Sequence, residues 1–324
     1  MTEAAAPVFV LAAPRSMSSV ACAMLGGHPQ LYGLPETHVF REDTVAAWLQ
    51  TVAGETFHMA DGMLRAVAQI CYGEQTESAI VSAAGWVRRR ASYTSGMLLE
   101  ELAGHVYPCH LVDKSPNMAF QLSNVRRAHV FFPTAKFIHL VRHPRAYCRS
   151  VLTYLGQLTL PGPGEDVART APQWIEDLAF FPYPDAGPPR DARRRPADPQ
   201  GGWYVLNRTV MTFLSGIPDD QWLRIRAEDL VREPARTMTE VASRLGLDTD
   251  RESIRGTLHP ESSPFARIGP PNARWGNDFY FLQRPGLRPS RGAPQNLDDP
   301  LEWHTDGRGF FPEVRELARS FGYR

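Results

Sequence analysis

Three basic residues of this chain stand where an anion could be gripped. Arg15, Lys114 and Arg142 each follow a short apolar run: "VFVLAA" (Val8 to Ala13), "HLVD" (His110 to Asp113) and "KFIHLV" (Lys136 to Val141). Hydroxyl groups accompany them. Ser16, Ser18 and Ser19 lie in "PRSMSS", Ser115 follows Lys114, and Ser150 comes eight residues after Arg142 in "RHPRAYCRS". A guanidinium can fork onto a phosphate while a hydroxyl donates from the side. A turn that opens a helix adds free backbone N–H groups and the positive end of the helix dipole. The set points to a ligand with two separated phosphate-like groups. The Walker pattern G-x-x-x-x-G-K-[ST] is absent, so a Mg²⁺-triphosphate is not held in the usual way. Cys22, Cys71, Cys109 and Cys148 have no C-x-x-C spacing, so no metal site or disulfide framework is expected.

The elements that must position these groups can be read from the same runs. "WLRIR" (Trp222 to Arg226) is a fourth strand candidate, and helical periods fall between the runs. The expected helices are Asn117 to Val130, Pro144 to Leu158 with its first-turn proline, and Pro234 to Leu245, where Met238, Val241, Ala242 and Leu245 share one face and Gly246 ends the period. Continuous apolar strands separated by helices predict an α/β fold whose parallel sheet is covered on both faces. Ligands of such sheets bind beyond the carboxyl ends of the strands, which is where the three cations stand. With 324 residues and 43% apolar content, one elaborated α/β domain over 1–324 is expected. "FPYPDAGPPRDARRRPADPQGG" (Phe181 to Gly202) interrupts the pattern, either as a mobile surface loop or as a lid or docking loop using Arg193, Arg194 and Arg195. The last residues end in a short amphipathic helix of structural type.

Several classes are disfavoured. The formal net charge is zero, so no global field points to nucleic acid or an anionic membrane. No run reaches the roughly 18 apolar residues of a membrane span. The N-terminal "MTEAAAPVFVLAA" carries Glu3 and no basic segment, a poor secretory signal, so a cytoplasmic location is expected. Lys114 and Lys136 are the two lysines; all other basic side chains apart from histidine are arginines, as a GC-rich bacterial genome would give. Against that bias, a lysine at 114 draws attention.

"PRSMSS", "DKSP" and "FIHLVRHPRAYCRS", in that order, resemble the motifs of the sulfotransferases that use 3'-phosphoadenosine 5'-phosphosulfate (PAPS). The resemblance implies a P-loop-like sulfotransferase fold and the release of PAP as product. It implies that Arg15, Ser16, Met17, Ser18 and Ser19 cradle the 5'-phosphosulfate, and that Arg142 and Ser150 hold the 3'-phosphate. It gives Lys114 the transferred sulfuryl group or the bridging oxygen, and it places Arg274 and Gly276, in "GPPNARWGNDFYF", in a loop that closes over the 3'-phosphate. "WLRIRAEDLVREPARTMTEVASRLGL" resembles the strand, acidic turn and late helix of the same family.

Sulfuryl transfer is an in-line displacement in which a base takes the acceptor's proton and cations stabilise the leaving charge, with no metal required. Cytosolic-type members of the family that this chain resembles carry a histidine base two residues after the lysine; here that position is Pro116, so the histidine route fails. "GGHPQLYGLPETHVF" instead resembles the tyrosylprotein sulfotransferase branch, which makes Glu36 the general base and His38 the second candidate. Nearby cations would lower the pKa of such a carboxylate. Phe265, Trp275, Phe279, Tyr280 and Phe281 line an apolar acceptor pocket or belong to the core. The family glycine after the first serine is Met17 here, and a methionine fits that turn readily at negative φ. The resemblance implies as acceptor a hydroxylated small molecule or an acyl chain on a carrier protein, and a soluble enzyme of secondary metabolism is expected. Two other readings stand beside this one: a P-loop kinase of a small molecule, and an inactive nucleotide-binding or carrier-docking module.

Overall fold

The computed structural model describes residues 5–54, 58–159, 198–288, 296–304 and 306–324. Its elements run β1 (Val8–Leu11), α1 (Ser18–Leu25), β2 (Leu31–Gly33), α2 (Val45–Gly54), α3 (Asp61–Tyr72), α4 (Glu77–Arg88), α5 (Ser95–Val106), β3 (His110–Asp113), α6 (Asn117–Phe120), α7 (Leu122–Phe131), β4 (Lys136–Val141), α8 (Pro144–Thr159), α9 (Gln200–Leu214), β5 (Trp222–Arg226), α10 (Ala227–Arg232), α11 (Pro234–Leu245), α12 (Arg251–Thr257), α13 (Phe279–Gln283) and α14 (Pro312–Ser320). The chain falls into two compact units, one of Met1–Leu140 with Thr209–Ser290, the other of Val141–Arg208 with Arg291–Arg324.

The first unit holds a five-stranded parallel sheet of order β2-β3-β1-β4-β5. β1 lies between its neighbours, with Val8 opposite Val112 on one side and Lys136 on the other. Alternate side chains of a strand point to opposite faces. Val8 and Val10 accordingly join a buried cluster with Met24 and Leu25 of α1, Ile225 of β5, and Met238 and Val241 of α11. Phe9 turns the other way, edge-on to Phe40 at 5.6 Å and stacked on Phe137 at 5.7 Å. Both faces of the sheet are therefore covered, as the unbroken apolar runs require.

β3, β4, β5 and α11 have the bounds expected from the pattern, and Gly246 caps α11 in the left-handed region at φ 75°. Three expectations change. β1 ends at Leu11 rather than Ala13, because its pairing with β4 ends at Leu11 opposite His139. The helix expected over Asn117 to Val130 is two helices, parted by the extended backbone of Gln121 (φ −136°, ψ 130°). β2, a three-residue edge strand, was not anticipated.

In the second unit, α8 starts at Pro144 as expected. Arg145, buried, donates to the carbonyls of Asn296 (3.1 Å), Asp299 (2.7 Å) and Pro300 (2.9 Å) and to Glu302 Oε2 (2.8 Å), which fixes the segment before the C-terminal helix. That helix, α14, is amphipathic and buries Val314, Leu317 and Ala318. Most of the Phe181 to Gly202 segment lies outside the described residues. Its last three residues open α9 and are buried.

Candidate active site

Parallel strands deliver their carboxyl ends to one edge of the sheet. β1 leads there to Arg15, β2 to Glu36 three residues beyond Gly33, and β3 to Lys114. The structure brings these residues together. Lys114 Nζ, whose side chain is fully buried, pairs with Glu36 Oε1 and donates to Ser19 Oγ at 2.8 Å. A buried cation with a carboxylate and a hydroxyl is a satisfied arrangement.

The turn after β1 is shaped by its backbone. Arg15 and Met17 have φ of 68° and 65°, whereas Ser16 between them has negative φ. Such alternation turns successive N–H groups toward one concavity, the geometry of an anion-binding nest. Met17 precedes the first turn of α1 and makes no side-chain cap, and the leading amides of a helix are donors suited to an anion. Ser16, Ser18 and Ser19 are buried in the same turn. Met17 therefore does not take the negative φ at which a methionine fits this turn. It holds the left-handed conformation natural to glycine, supported by partial packing against the core cluster that contains Val10 and Met24.

Glu36 is held from several directions. Burial pushes its carboxyl pKa up, but the charge of Lys114 and the hydrogen bond from His38 pull harder, bringing it from 4.5 to about 2. His38 Nε2 lies 3.6 Å from Glu36 Oε2, and its Nδ1 is 3.3 Å from Asn117 Oδ1. His38 itself has positive φ (51°), with its N–H donating to Ser115 Oγ at 2.9 Å. Asp113 ties the two loops together by accepting from Thr37 Oγ1 and Ser115 Oγ, both at 2.7 Å. Glu36 therefore stays ionised through the neutral range while its loop is braced against the lysine loop.

A third segment, Gly269 to Phe281, completes the first unit's site. The Glu36 N–H donates to the Gly276 carbonyl at 2.6 Å. Gly276 has φ 102°, and a Cβ there would stand 2.6 Å from Gly62 Cα. Arg65, buried on α3, donates to the carbonyls of Trp275 (2.7 Å) and Arg267 (2.8 Å) and to Gln75 Oε1 (2.7 Å), while Asp61 accepts from the Trp275 N–H at 2.9 Å. Burial lowers the Arg65 pKa to about 10, with Asp61 opposing. Asp278 pairs with Arg15, and its N–H donates to Ser19 Oγ at 3.0 Å. Arg274 is exposed, over the Trp275 ring at 5.6 Å. Of the five aromatics, Phe265 and Phe281 are core, whereas Trp275, Phe279 and Tyr280 are partly exposed and touch in sequence, at 5.5 and 5.8 Å.

Arg142 and Ser150 belong to the second unit and are both partly buried, with the Arg142 carbonyl accepting from Trp203 Nε1 at 2.9 Å. Sequence reasoning missed Asp278, Arg65, Asp61 and Asp113. Asp278 had one legible signal, an acid directly before "FYF", where it accepts from the amides of Tyr280 and Phe281 as a helix cap. Each of the others has at least one partner remote in sequence: Trp275 for Arg65 and Asp61, and Thr37 for Asp113.

Among the described residues, no cluster of His, Cys, Asp and Glu could hold a metal ion, and no helix is long and apolar enough to cross a membrane. The fold is similar to the sulfotransferase domain from the curacin biosynthetic pathway, with 20% identity, a TM-score of 0.69, and coverage of 99% of this chain and 98% of that one. It is equally similar to the sulfotransferase domain of the Synechococcus PCC 7002 olefin synthase, with 23% identity, a TM-score of 0.70, and coverage of 100% and 98%. The curated proteins contain no match. Residues 7–179 match the profile described as the sulfotransferase family, a span that includes Arg15, Glu36, Lys114, Arg142 and Ser150. The chain belongs to the sulfotransferase family, and it is a sulfotransferase.

Proposed function

We propose that this enzyme transfers a sulfuryl group from PAPS to a hydroxyl of a biosynthetic intermediate, with Glu36 as general base. The observation that carries the reading is the Glu36–Lys114–Ser19 arrangement beside an uncapped helix start. The turn at Arg15 to Ser19 offers backbone amides, three serines and a guanidinium, a donor set suited to a phosphosulfate. The motifs suggest Arg142 and Ser150 for the 3'-phosphate and Arg274 and Gly276 for the closing loop.

Bound to that turn, PAPS supplies the group to be transferred. The acceptor oxygen forms its bond to sulfur as the bond from sulfur to the phosphate oxygen breaks, and PAP leaves with the electron pair. Glu36 takes the acceptor's proton. Lys114 then has a second duty, because its ammonium stabilises charge on the departing oxygen. A carboxylate near pKa 2 is a weak base in the free enzyme. When Lys114 turns toward the donor, Glu36 loses its closest cation and becomes more basic at the step that needs it. His38, held between Glu36 and Asn117, orients the carboxylate.

The partly exposed cluster of Trp275, Phe279 and Tyr280 supports an apolar acceptor. The two similar domains come from a curacin pathway and an olefin synthase. We therefore favour a hydroxylated intermediate of such biosynthesis, free or carried on an acyl carrier, where a sulfated β-hydroxyl would become a leaving group. The test is incubation with PAPS and a panel of hydroxylated metabolites and carrier-bound hydroxyacyl chains, read by mass for an added sulfate. Glu36→Gln keeps a hydrogen-bond acceptor for Lys114 and should retain PAP binding while losing about 10²–10⁴-fold in transfer rate. Undiminished transfer by that variant refutes the base assignment.

A further inference from the structure

Asp278 stands on the group that the donor anion requires. Its Oδ2 forms the ion pair with Arg15 Nη1, with side-chain exposures of 28% for the acid and 9% for the arginine. The same residue reaches Ser19, whose Oγ takes both the Asp278 N–H at 3.0 Å and Lys114 Nζ at 2.8 Å. Its Oδ1 accepts from the Tyr280 and Phe281 amides at 3.1 and 3.3 Å and so starts α13. Tyr280 in turn lies against Arg15, with the guanidinium carbon 5.1 Å from the ring centre. One loop residue thus occupies the cation of the phosphosulfate turn and one of its hydroxyls, and brings an aromatic ring with it.

We propose that Asp278 is a built-in competitor for the donor, a carboxylate that occupies Arg15 in the nucleotide-free enzyme and must be displaced when PAPS binds. The inference rests on the reading of Arg15 as a donor ligand. A carboxylate and a phosphosulfate oxygen are alike in charge and in the hydrogen bonds they seek, so they cannot share the same N–H of Arg15 without repulsion. The segment has a fixed end from which such a movement can start. Trp275 and Gly276 are clamped by Arg65, Asp61 and the Glu36 N–H, whereas Asp278 is held by its cap, Ser19 and Arg15. Displacement of Asp278 carries Phe279 and Tyr280 with it, so donor binding reshapes the aromatic surface offered to the acceptor. This is an ordered device: the acceptor surface takes its working form only after the donor is in place.

A protein whose binding-competent form is a minority binds more weakly by the fraction competent. Asp278→Asn tests this, because asparagine caps a helix as well as aspartate but carries no charge to hold Arg15. PAP affinity is measured by calorimetry on the full chain at low and high salt, with Asp278→Ser as a second capping variant. Both variants should bind PAP about tenfold more tightly than the parent at low salt, the value for a closed form favoured about nine to one. Unchanged or weaker PAP binding by both overturns the proposal and makes Asp278 a positioning partner of Arg15 instead. Arg15→Gln separates the two levels of the argument. If it leaves PAP binding intact, the donor role of Arg15 falls; if it weakens binding while the Asp278 variants do not tighten it, the competitor alone falls.

Discussion

Removing either member of the Glu36–Lys114 pair should have very different costs. The Lys114 side chain has no exposure, whereas that of Glu36 is 22% exposed. In Glu36→Ala the ammonium keeps only Ser19 Oγ and has no water to turn to. Stranding one member of a buried pair costs about 3–5 kcal/mol. The titration argument agrees: a carboxylate held at about 2 instead of 4.5 contributes about 3 kcal/mol at neutral pH. At about 2.1 cal/mol/K per residue, a chain of 324 residues loses roughly 4–7 °C in melting temperature for that cost. Lys114→Met removes the charge that cannot be rehydrated and fills its path with apolar atoms, while Glu36 at the rim regains water; a loss of about 1 kcal/mol or less is expected. The assay is calorimetric melting of both variants and the parent from pH 7 to pH 3. Because the folded pKa is depressed, the stabilisation is present above about 4.5 and is lost as pH falls toward 2. The gap between parent and Glu36→Ala should therefore narrow below pH 4.5. If Lys114→Met costs as much as Glu36→Ala, or if the gap does not depend on pH, the account of this pair is wrong.

Three further outcomes are expected. Gly276→Ala adds a side chain at φ 102° and against Gly62 Cα, so urea melts should show a loss of about 2 kcal/mol or more, with transfer impaired through the displaced Glu36 backbone. Arg65→Met leaves the Trp275 and Arg267 carbonyls without their donor and should destabilise by about 2–4 kcal/mol in the same assay; a neutral result would mean the clamp is dispensable. Cys22 is buried, and burial pushes its thiol pKa up to about 12, so peptide mapping after alkylation of the native protein at pH 8 should find it unmodified until denaturant is added.

Much of the scaffold was legible because its inner strands are buried on both faces. β3, β4 and β5 are uninterrupted apolar or alternating runs, and the residues following β1, β3 and β4 could be singled out from strand ends alone. β2 was not legible. "LYG" is three residues long and exists because β3 offers it an edge, yet it delivers Glu36 to the site. Motif resemblance found Glu36, and physical pattern would not have. The conformation of Met17 went against local propensity, since a left-handed methionine is favoured by its surroundings rather than by its own backbone. Asp278 and Arg65 escaped because their partners lie more than 200 residues away, at 15 and 275 respectively. No spacing rule spans such a distance.

The scarcity of lysine has a practical consequence for handling this enzyme. Of the two lysine amines, one is sealed between Glu36 and Ser19, and the other, Lys136, opens β4 at the amino end of the strand with its side chain 31% exposed. An amine-reactive linker would find a single side-chain handle there, opposite the sheet edge to which β1, β2 and β3 deliver Arg15, Glu36 and Lys114. Attachment to a surface through Lys136 leaves that edge facing solution, provided the chain's α-amine, which reacts with the same linkers, is blocked first.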